Sequence, residues 1–484
     1  MRTLLVYHNP SREMLSAPPI GLAYVASAAA DAGHEVRFLD LSRRRDPVAA
    51  LAGELARHRV EVAAFSIRNL DNTIRQRLES DLHLHQVLIA TARQCGATVV
   101  VGGPAVTLLG AASLDTLPAD FAVLGEGEEA FPALLAALAE GRSPAQIPGV
   151  AWRDGERGVS ATASRRLERF GASGLERWID WAPYRRSGST WPIQGKRGCA
   201  LSCVYCSYPG LEGRRHRQRP AGEIVDEIER VARLAKPRAF EIVDSTFNVP
   251  VEPALELCRE LRRRKLRVSL TAMGVNPLGV TEELFPEMEA AGFNSVMITP
   301  ETASERMLGN LAKGFDRAAV ETTAARIRRS RLASAWFFLL GGPGETEETV
   351  EETLAFIEQK LDWERCLSIV FTGIRVQPGT ALAAAEVASG RLSAAQDYTA
   401  PLFYLSPEIR EDWILRRIDE TIGRRPNVVH AAEGSASPWQ ITMERTLSLF
   451  GVAPPYWRFY PRYLALPPIR ALRRRFPFSG RLAV

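Results

Sequence analysis

Short apolar runs and longer amphipathic stretches alternate along the first 142 residues. TLLVYHNP, HEVRFLDL, VEVAAFSIR, ATVVVGG and ADFAVLGEGEEA carry the short runs, which predict strands. Between them, IGLAYVASAAADAG, VAALAGELARHR and LHLHQVLIATARQCG have helical spacing, and FPALLAALAEG closes the unit. The first helix is expected to stop at Gly33, where a left-handed residue suits glycine. Short apolar strands between helices predict an open parallel Rossmann-like sheet with helices on both faces. Ligands of such sheets bind beyond the carboxyl ends of the strands. Those ends carry Asn9, Ser66, Arg68, Gly102, Gly103 and the Gly125-Glu126-Gly127 turn.

Residues 143–190 lack strong periodicity. IPGVAWRDGERGVSA reads as a small hairpin turning at Asp154-Gly155, and the rest as a linker or lid. From 191 to 380 the alternation resumes. PIQGKRG, RAFEIVD, RVSLTA, NSVMITP, SAWFFLL and LSIVFTGI are strand candidates with helical patterns between them. Six such units predict a partial (β/α)6 barrel, whose site would lie at the carboxyl ends of its strands. Residues 381–484 are expected to form a mainly helical capping region. The fold class is therefore α/β, with an N-terminal open sheet, a partial barrel and a helical C-terminal region.

Composition narrows the class. The chain has 484 residues, 46% hydrophobic and 24% charged, as in a soluble multidomain enzyme. No apolar run is long enough to span a bilayer, and MRTLLVYHNP is too short for a signal peptide. A net charge of +5 does not by itself imply a nucleic-acid partner. The tail WRFYPRYLALPPIRALRRRFPF mixes aromatics, prolines and arginines. It reads either as a segment touching membrane peripherally or as a packed subdomain with solvated arginines.

Three of the six cysteines, Cys199, Cys203 and Cys206, are spaced C-x3-C-x2-C in RGCALSCVYCSYP. Cys95, Cys258 and Cys366 are isolated, which argues against a disulfide framework and for the reducing cytoplasm. Zinc sites favour paired C-x2-C units with two further ligands, and no second pair exists here. Three thiolates on one loop suit three irons of a [4Fe–4S] cluster, leaving the fourth open. The loop follows the first predicted barrel strand.

This run resembles the signature of the radical S-adenosylmethionine (SAM) superfamily. The resemblance implies that the open iron binds SAM, that the reduced cluster cleaves it to a 5′-deoxyadenosyl radical, and that Tyr205 lies against the adenine. It also implies the open six-unit barrel. The second barrel strand ends in Asp244 and Ser245, which offer polar groups to the SAM amine or ribose. Thr299-Pro300-Glu301-Thr302 resembles the superfamily's GIE-type segment, with Glu301 reading as a SAM contact or as one side of a salt bridge. GGPGET at 341–346 resembles a turn common in cobalamin-fused members, and Glu345 or Thr346 also reads as a plain helix start. The cluster of Arg214, Arg215, His216, Arg217 and Arg219 is expected to be a solvated turn.

Ser66, Gly102-Gly103 and Gly125-Glu126-Gly127 resemble the cobalamin-binding domains fused to such barrels. A serine at a strand end suits the dimethylbenzimidazole tail, and the glycines leave room for it. The loop after the first strand, HNPSREMLS, lacks the D-x-H-x-x-G motif that supplies histidine to cobalt. Asp81-Leu82-His83 falls in the wrong place, and His83 and His85 are expected on a helix or the surface. Arg68 is placed toward the corrin's lower side and has no lone pair to donate. Base-off cobalamin without a protein nitrogen on cobalt is the expectation.

The implied activity is that of a cobalamin-dependent (class B) radical SAM methyltransferase. Its substrate would be a secondary-metabolite or lipid-like small molecule, and its reductant an external donor such as flavodoxin or ferredoxin. A cyclase or oxidase without methyl transfer and a non-catalytic cobalamin- or metal-binding regulatory protein are the alternatives.

Overall fold

The computed structural model describes residues 1–9, 17–155, 158–433, 438–475 and 477. Two sheets organise it. In the first, β1 (Arg2–Tyr7), β2 (Glu35–Asp40), β3 (Val62–Ser66), β4 (Thr98–Gly102) and β5 (Phe121–Val123) run parallel in the order β2-β1-β3-β4-β5. Successive residues of these strands face opposite layers. Leu4, Val6, Ala63 and Phe65 pack under helices Pro47–His58 and Leu82–Gln94. Leu5, Tyr7, Val62 and Ala64 pack under Ile20–Asp31 and Gly127–Ala139. The first helix stops as expected: Gly33 has φ +86°, the Gly33 N–H bonds the Ala30 carbonyl at 3.0 Å, and the His34 N–H bonds that of Ala29 at 3.1 Å.

The expected hairpin forms as β6 (Val150–Arg153) and β7 (Val159–Ala161). It does not stand in a linker; it extends the first sheet antiparallel beyond β5. The pairing covers the open edge of β5 and buries Val150 and Ala151. Residues 162–190 then bridge the two halves. Trp178 Nε1 donates to Ser27 Oγ at 2.9 Å, and the Tyr184 hydroxyl donates to Asp40 Oδ2 at 2.6 Å. Leu175, Trp181 and Tyr184 join the core of the second half.

That half begins with β8 (Trp191–Ile193). The antiparallel ribbon β9 (Lys196–Arg197) and β10 (Arg217–Gln218) encloses the cysteine loop. β11 (Phe240–Ile242), β12 (Leu270–Val275), β13 (Phe293–Glu301), β14 (Ala333–Leu340) and β15 (Cys366–Thr372) supply the other expected strands. β16 (Ile374–Arg375) and β17 (Phe403–Tyr404) form a second small ribbon, and β18 (Val428–His430) pairs with β15. The order β8-β11-β12-β13-β14-β15-β18 is parallel throughout and does not close. The six expected strands thus gain a seventh from the C-terminal region, which is otherwise mainly helical.

Outward residues such as Trp336 and Phe338 pack against Phe356 of the covering helix Glu347–Lys360. Residues of the other parity, Met297, Ala333, Ala335, Leu367 and Ile369, turn into the barrel. The alanines leave space there, which Trp457, Tyr460 and Leu464 of the tail fill. The aromatics considered for a membrane therefore plug the barrel floor. Arg462 pairs with Glu364 and Arg473 with Glu433. The last residues of the tail lie outside the described residues. Among the described residues, no helix is long and apolar enough to cross a membrane.

Candidate functional site

The cysteine loop is held at many points. Asp244, beyond β11, is buried, and its Oδ1 accepts the Gly195 N–H at 2.7 Å and the Lys196 N–H at 3.0 Å. Burial pushes its carboxyl up to about 7, against the pull of those donors and of the Lys196 ammonium. Ser245 Oγ donates to the Gly198 carbonyl at 3.3 Å. Both residues expected to face SAM are thus engaged in anchoring the loop. Gly198 has φ +89°, and a Cβ there would lie 2.2 Å from the Arg215 carbonyl oxygen, so only glycine fits. Cys199 N–H bonds the Gly213 carbonyl at 3.0 Å and Cys206 N–H that of Cys203 at 3.1 Å. Val204 is tied on both sides: its N–H reaches the Leu311 carbonyl at 3.1 Å, and its carbonyl accepts the Leu382 N–H at 2.8 Å.

Cys199 is buried, and Cys203 and Cys206 are half-buried; all are free thiols. Burial pushes the Cys206 thiol up to about 11 and that of Cys203 upward, while the Lys313 ammonium acts on both in the opposite sense. Metal ligation requires the thiolates and offsets that cost. Three anchored thiols on one loop, each free for a separate iron, fit a [4Fe–4S] cluster.

The end of β13 leans over this loop. Glu301 has φ +69°, uncommon for a residue with a side chain. Its carboxylate lies 3.6 Å from Lys313 Nζ. Lys313 is 2% exposed and donates to the Tyr205 hydroxyl at 3.1 Å and to the Thr299 carbonyl at 3.2 Å. The half-buried Glu301 and Tyr205 and the buried Lys313 therefore form one polar group beside the cysteines. The sequence reading found the first two and missed Lys313. Its only signal was the Lys-Gly pair closing the segment after TPETASE, a spacing that carries no mark of burial.

In GGPGET, the Glu345 carboxylate accepts the Gly341 and Gly342 N–H groups at 3.1 and 3.3 Å and the Thr349 hydroxyl at 2.7 Å. The role is structural: it folds the turn, and Thr346 begins the next helix. The arginine cluster is not uniformly solvated. Arg214 and Arg215 are exposed, but Arg217 and Arg219 are buried, the latter paired with Glu227 at 2.6 Å.

The partner of Arg217 is Glu126, at 2.5 Å, and Leu167 N–H also donates to that carboxylate at 2.8 Å. Glu126 thus joins the first sheet to the cysteine-loop ribbon instead of standing free for a cofactor. Further ties converge on the same interface. Asp71 meets Arg375 at 3.0 Å, and Arg75 meets Glu411 at 3.0 Å. Helix Pro104–Leu109 packs on Tyr208–Glu212, the short helix after the cysteines. All these N-terminal groups follow carboxyl ends of strands, so that edge of the first sheet faces the cysteine loop and the barrel mouth.

At this edge Ser66 is half-buried and Arg68 exposed. Gly103 has φ +102°, and a Cβ there would meet the Ile67 carbonyl at 2.7 Å, so it lets the two loops touch. Gly125 has φ +83° and donates to Thr107 Oγ1 at 2.9 Å. A Gly127 Cβ would approach Val25 at 3.0 Å, and Gly102 is less crowded. His85 lies on helix Leu82–Gln94, as expected, and is buried edge-to-face against His8, ring centroids 5.9 Å apart. His8 Nδ1 is buried with no hydrogen-bond partner among the described residues. An edge with a half-buried hydroxyl, side-chain-free glycines and an orphaned buried polar atom fits a large polar cofactor such as cobalamin.

The comparisons agree with this geometry. The B12 binding domain matches residues 15–135, and the radical SAM superfamily matches 193–357. An uncharacterized methyltransferase of Pyrococcus horikoshii is 25% identical over 383 residues, covering 75% of this chain and 77% of that one. The tryptophan 2-C-methyltransferase of Streptomyces laurentii is 24% identical over 449 residues, 79% of this chain and 74% of its own. The radical SAM methyltransferase TsrM of Kitasatospora setae, solved with cobalamin and a [4Fe–4S] cluster, superposes with a TM-score of 0.81. It does so over 100% of both chains at 22% identity, a likeness of fold. With both domains on one chain and their strand ends facing each other, the protein belongs to the cobalamin-dependent radical SAM enzymes.

Proposed function

We propose that this chain is a methyltransferase that moves a methyl group from SAM, by way of cobalamin, to a carbon of a small molecule. The observation that carries the reading is the juxtaposition just described: the carboxyl edge of the B12-type sheet faces the three-cysteine loop across one tied interface. When bound, the cluster supplies reductive cleavage of SAM and cobalamin supplies methyl transfer.

The chain's own residues have separable tasks in this reading. Cys199, Cys203 and Cys206 hold the cluster. Tyr205, Glu301 and Lys313 frame the SAM side. Ser66, Gly102 and Gly103 bed the cobalamin tail. Arg68, at the same edge, would face bound cobalamin with a guanidinium that has no lone pair to donate. Met273, Met297, Phe337 and Phe371 line the barrel above the plug and exclude water from an apolar or aromatic substrate. A small flavoprotein or ferredoxin is the external electron donor in this scheme.

The test is incubation of anaerobically reconstituted protein with methyl-deuterated SAM, a low-potential reductant, and the small-molecule fraction of its source cells beside tryptophan. Mass spectrometry is expected to find a product carrying the labelled methyl. SAM consumption with only unlabelled, rearranged product would show a cyclase or oxidase instead.

A further inference from the structure

Lys313 is a buried cation beside Cys203 and Cys206, and the proposed cluster gives it a second role. It follows helix Glu305–Asn310, whose end is closed by Ala312 in the left-handed region at φ +52°. Alanine there is uncommon. The turn is locked by the Ala312 N–H on the Gly309 carbonyl at 2.9 Å and the Lys313 N–H on that of Leu308 at 3.0 Å. The same turn offers the Leu311 carbonyl to Val204 N–H, between Cys203 and Cys206. One strained turn therefore both pins the cysteine loop and carries the lysine inward. The ammonium lies 5.6 Å from the Tyr205 ring and 5.7 Å from that of Phe315, and donates to the Tyr205 hydroxyl and the Thr299 carbonyl. Its field reaches the Cys203 and Cys206 sulfurs. Glu301, at 3.6 Å, is its counter-charge.

We infer that Lys313 is a positioning residue that sets the reduction potential of the [4Fe–4S] cluster. The inference rests on the family reading, which supplies the cluster. Adding one electron makes the cluster one unit more negative. A fixed ammonium in a site screened from water stabilises that reduced form and raises the potential. Glu301 acts in the opposite sense and limits the gain. The electron comes from an external low-potential reductant and is used in cleaving SAM.

The test uses full-length protein reconstituted with iron and sulfide, without SAM. The midpoint potential is read by EPR during reductive titration with titanium(III) citrate. Lys313→Met is expected to lower the potential by at least 59 mV, a tenfold change in the one-electron equilibrium constant. Lys313→Arg keeps the charge and should stay near wild type. Tyr205→Phe removes the hydrogen bond but not the charge and should move the potential less than Lys313→Met. Glu301→Gln should shift it upward, which decides the matter if Lys313→Met fails to hold iron. An unchanged potential in iron-replete Lys313→Met, or a zero or downward shift in Glu301→Gln, would overturn the inference. Failure of wild type to take up iron would instead strike the family reading.

Discussion

The Asp71–Arg375 pair gives the sharpest test of how the two halves are held together. Asp71 lies on the loop after β3, which starts beside Arg68, and Arg375 lies just beyond the mouth of β15. Their side chains are 4% and 6% exposed, so solvent screens the pair little. Asp71→Asn preserves shape and can still accept the Thr73 N–H, which bonds Asp71 Oδ1 at 2.9 Å. It removes the charge opposite a buried guanidinium. Removing one member of a buried pair costs about 3–5 kcal/mol. Arg375 retains carbonyl contacts with Val376 at 2.9 Å and Tyr398 at 3.1 Å, which places the loss at the lower end. About 3 kcal/mol is expected, roughly a hundredfold in the folding equilibrium. The assay is urea unfolding, since guanidinium would screen the pair, followed by both fluorescence and circular dichroism. Coincident transitions would show the halves unfolding as one unit. A double-mutant cycle with Arg375→Met isolates the pair and should give a coupling of about 2 kcal/mol. A coupling below about 0.5 kcal/mol, as for an exposed pair, would refute the reasoning.

Other perturbations test the site and its frame. Gly198→Ala places a Cβ 2.2 Å from the Arg215 carbonyl, and reconstituted protein should lose most of its iron by colorimetric assay while keeping its cobalamin. Burial raises the Glu345 carboxyl to about 7 from 4.5, so the folded state holds its proton more tightly than the unfolded state. Its contribution therefore falls as pH rises from about 4.5 to about 7 and is flat above. Urea midpoints of Glu345→Gln should lack that component of the pH dependence. Tyr460, 1% exposed in the barrel floor, should cost about 3–5 kcal/mol on change to alanine, read as a lowered urea midpoint.

The alternation of short apolar runs with amphipathic stretches made most strands of both sheets legible, because parallel strands buried on both faces leave a continuous apolar signature. The hairpin's turn was readable, but its attachment to β5 was not, since edge pairing is decided by which edge lies open. Val428–His430 went unseen because three residues carry no period. The cysteine spacing located the loop at once. What it hid was everything that needs three dimensions: Lys313 is distant in sequence from Tyr205, and Glu126 is 91 residues from Arg217. Asp244, Ser245 and Glu126 stand at strand ends, where the sequence places them, but the bonds that tie them to the cysteine loop and its ribbon are visible only in three dimensions. Arg217 and Arg219 looked like a solvated run because charge patterning alone does not reveal a buried partner.

In this reading one chain carries both cofactors. The most direct measurement is the iron, sulfide and cobalamin content of anaerobically purified, reconstituted protein, alongside its absorption spectrum. About four irons and one base-off cobalamin per chain are expected, with iron lost in a Cys199→Ala, Cys203→Ala, Cys206→Ala triple variant and cobalamin retained. Four irons with no retained cobalamin would contradict it, leaving a radical SAM barrel whose N-terminal sheet serves another ligand.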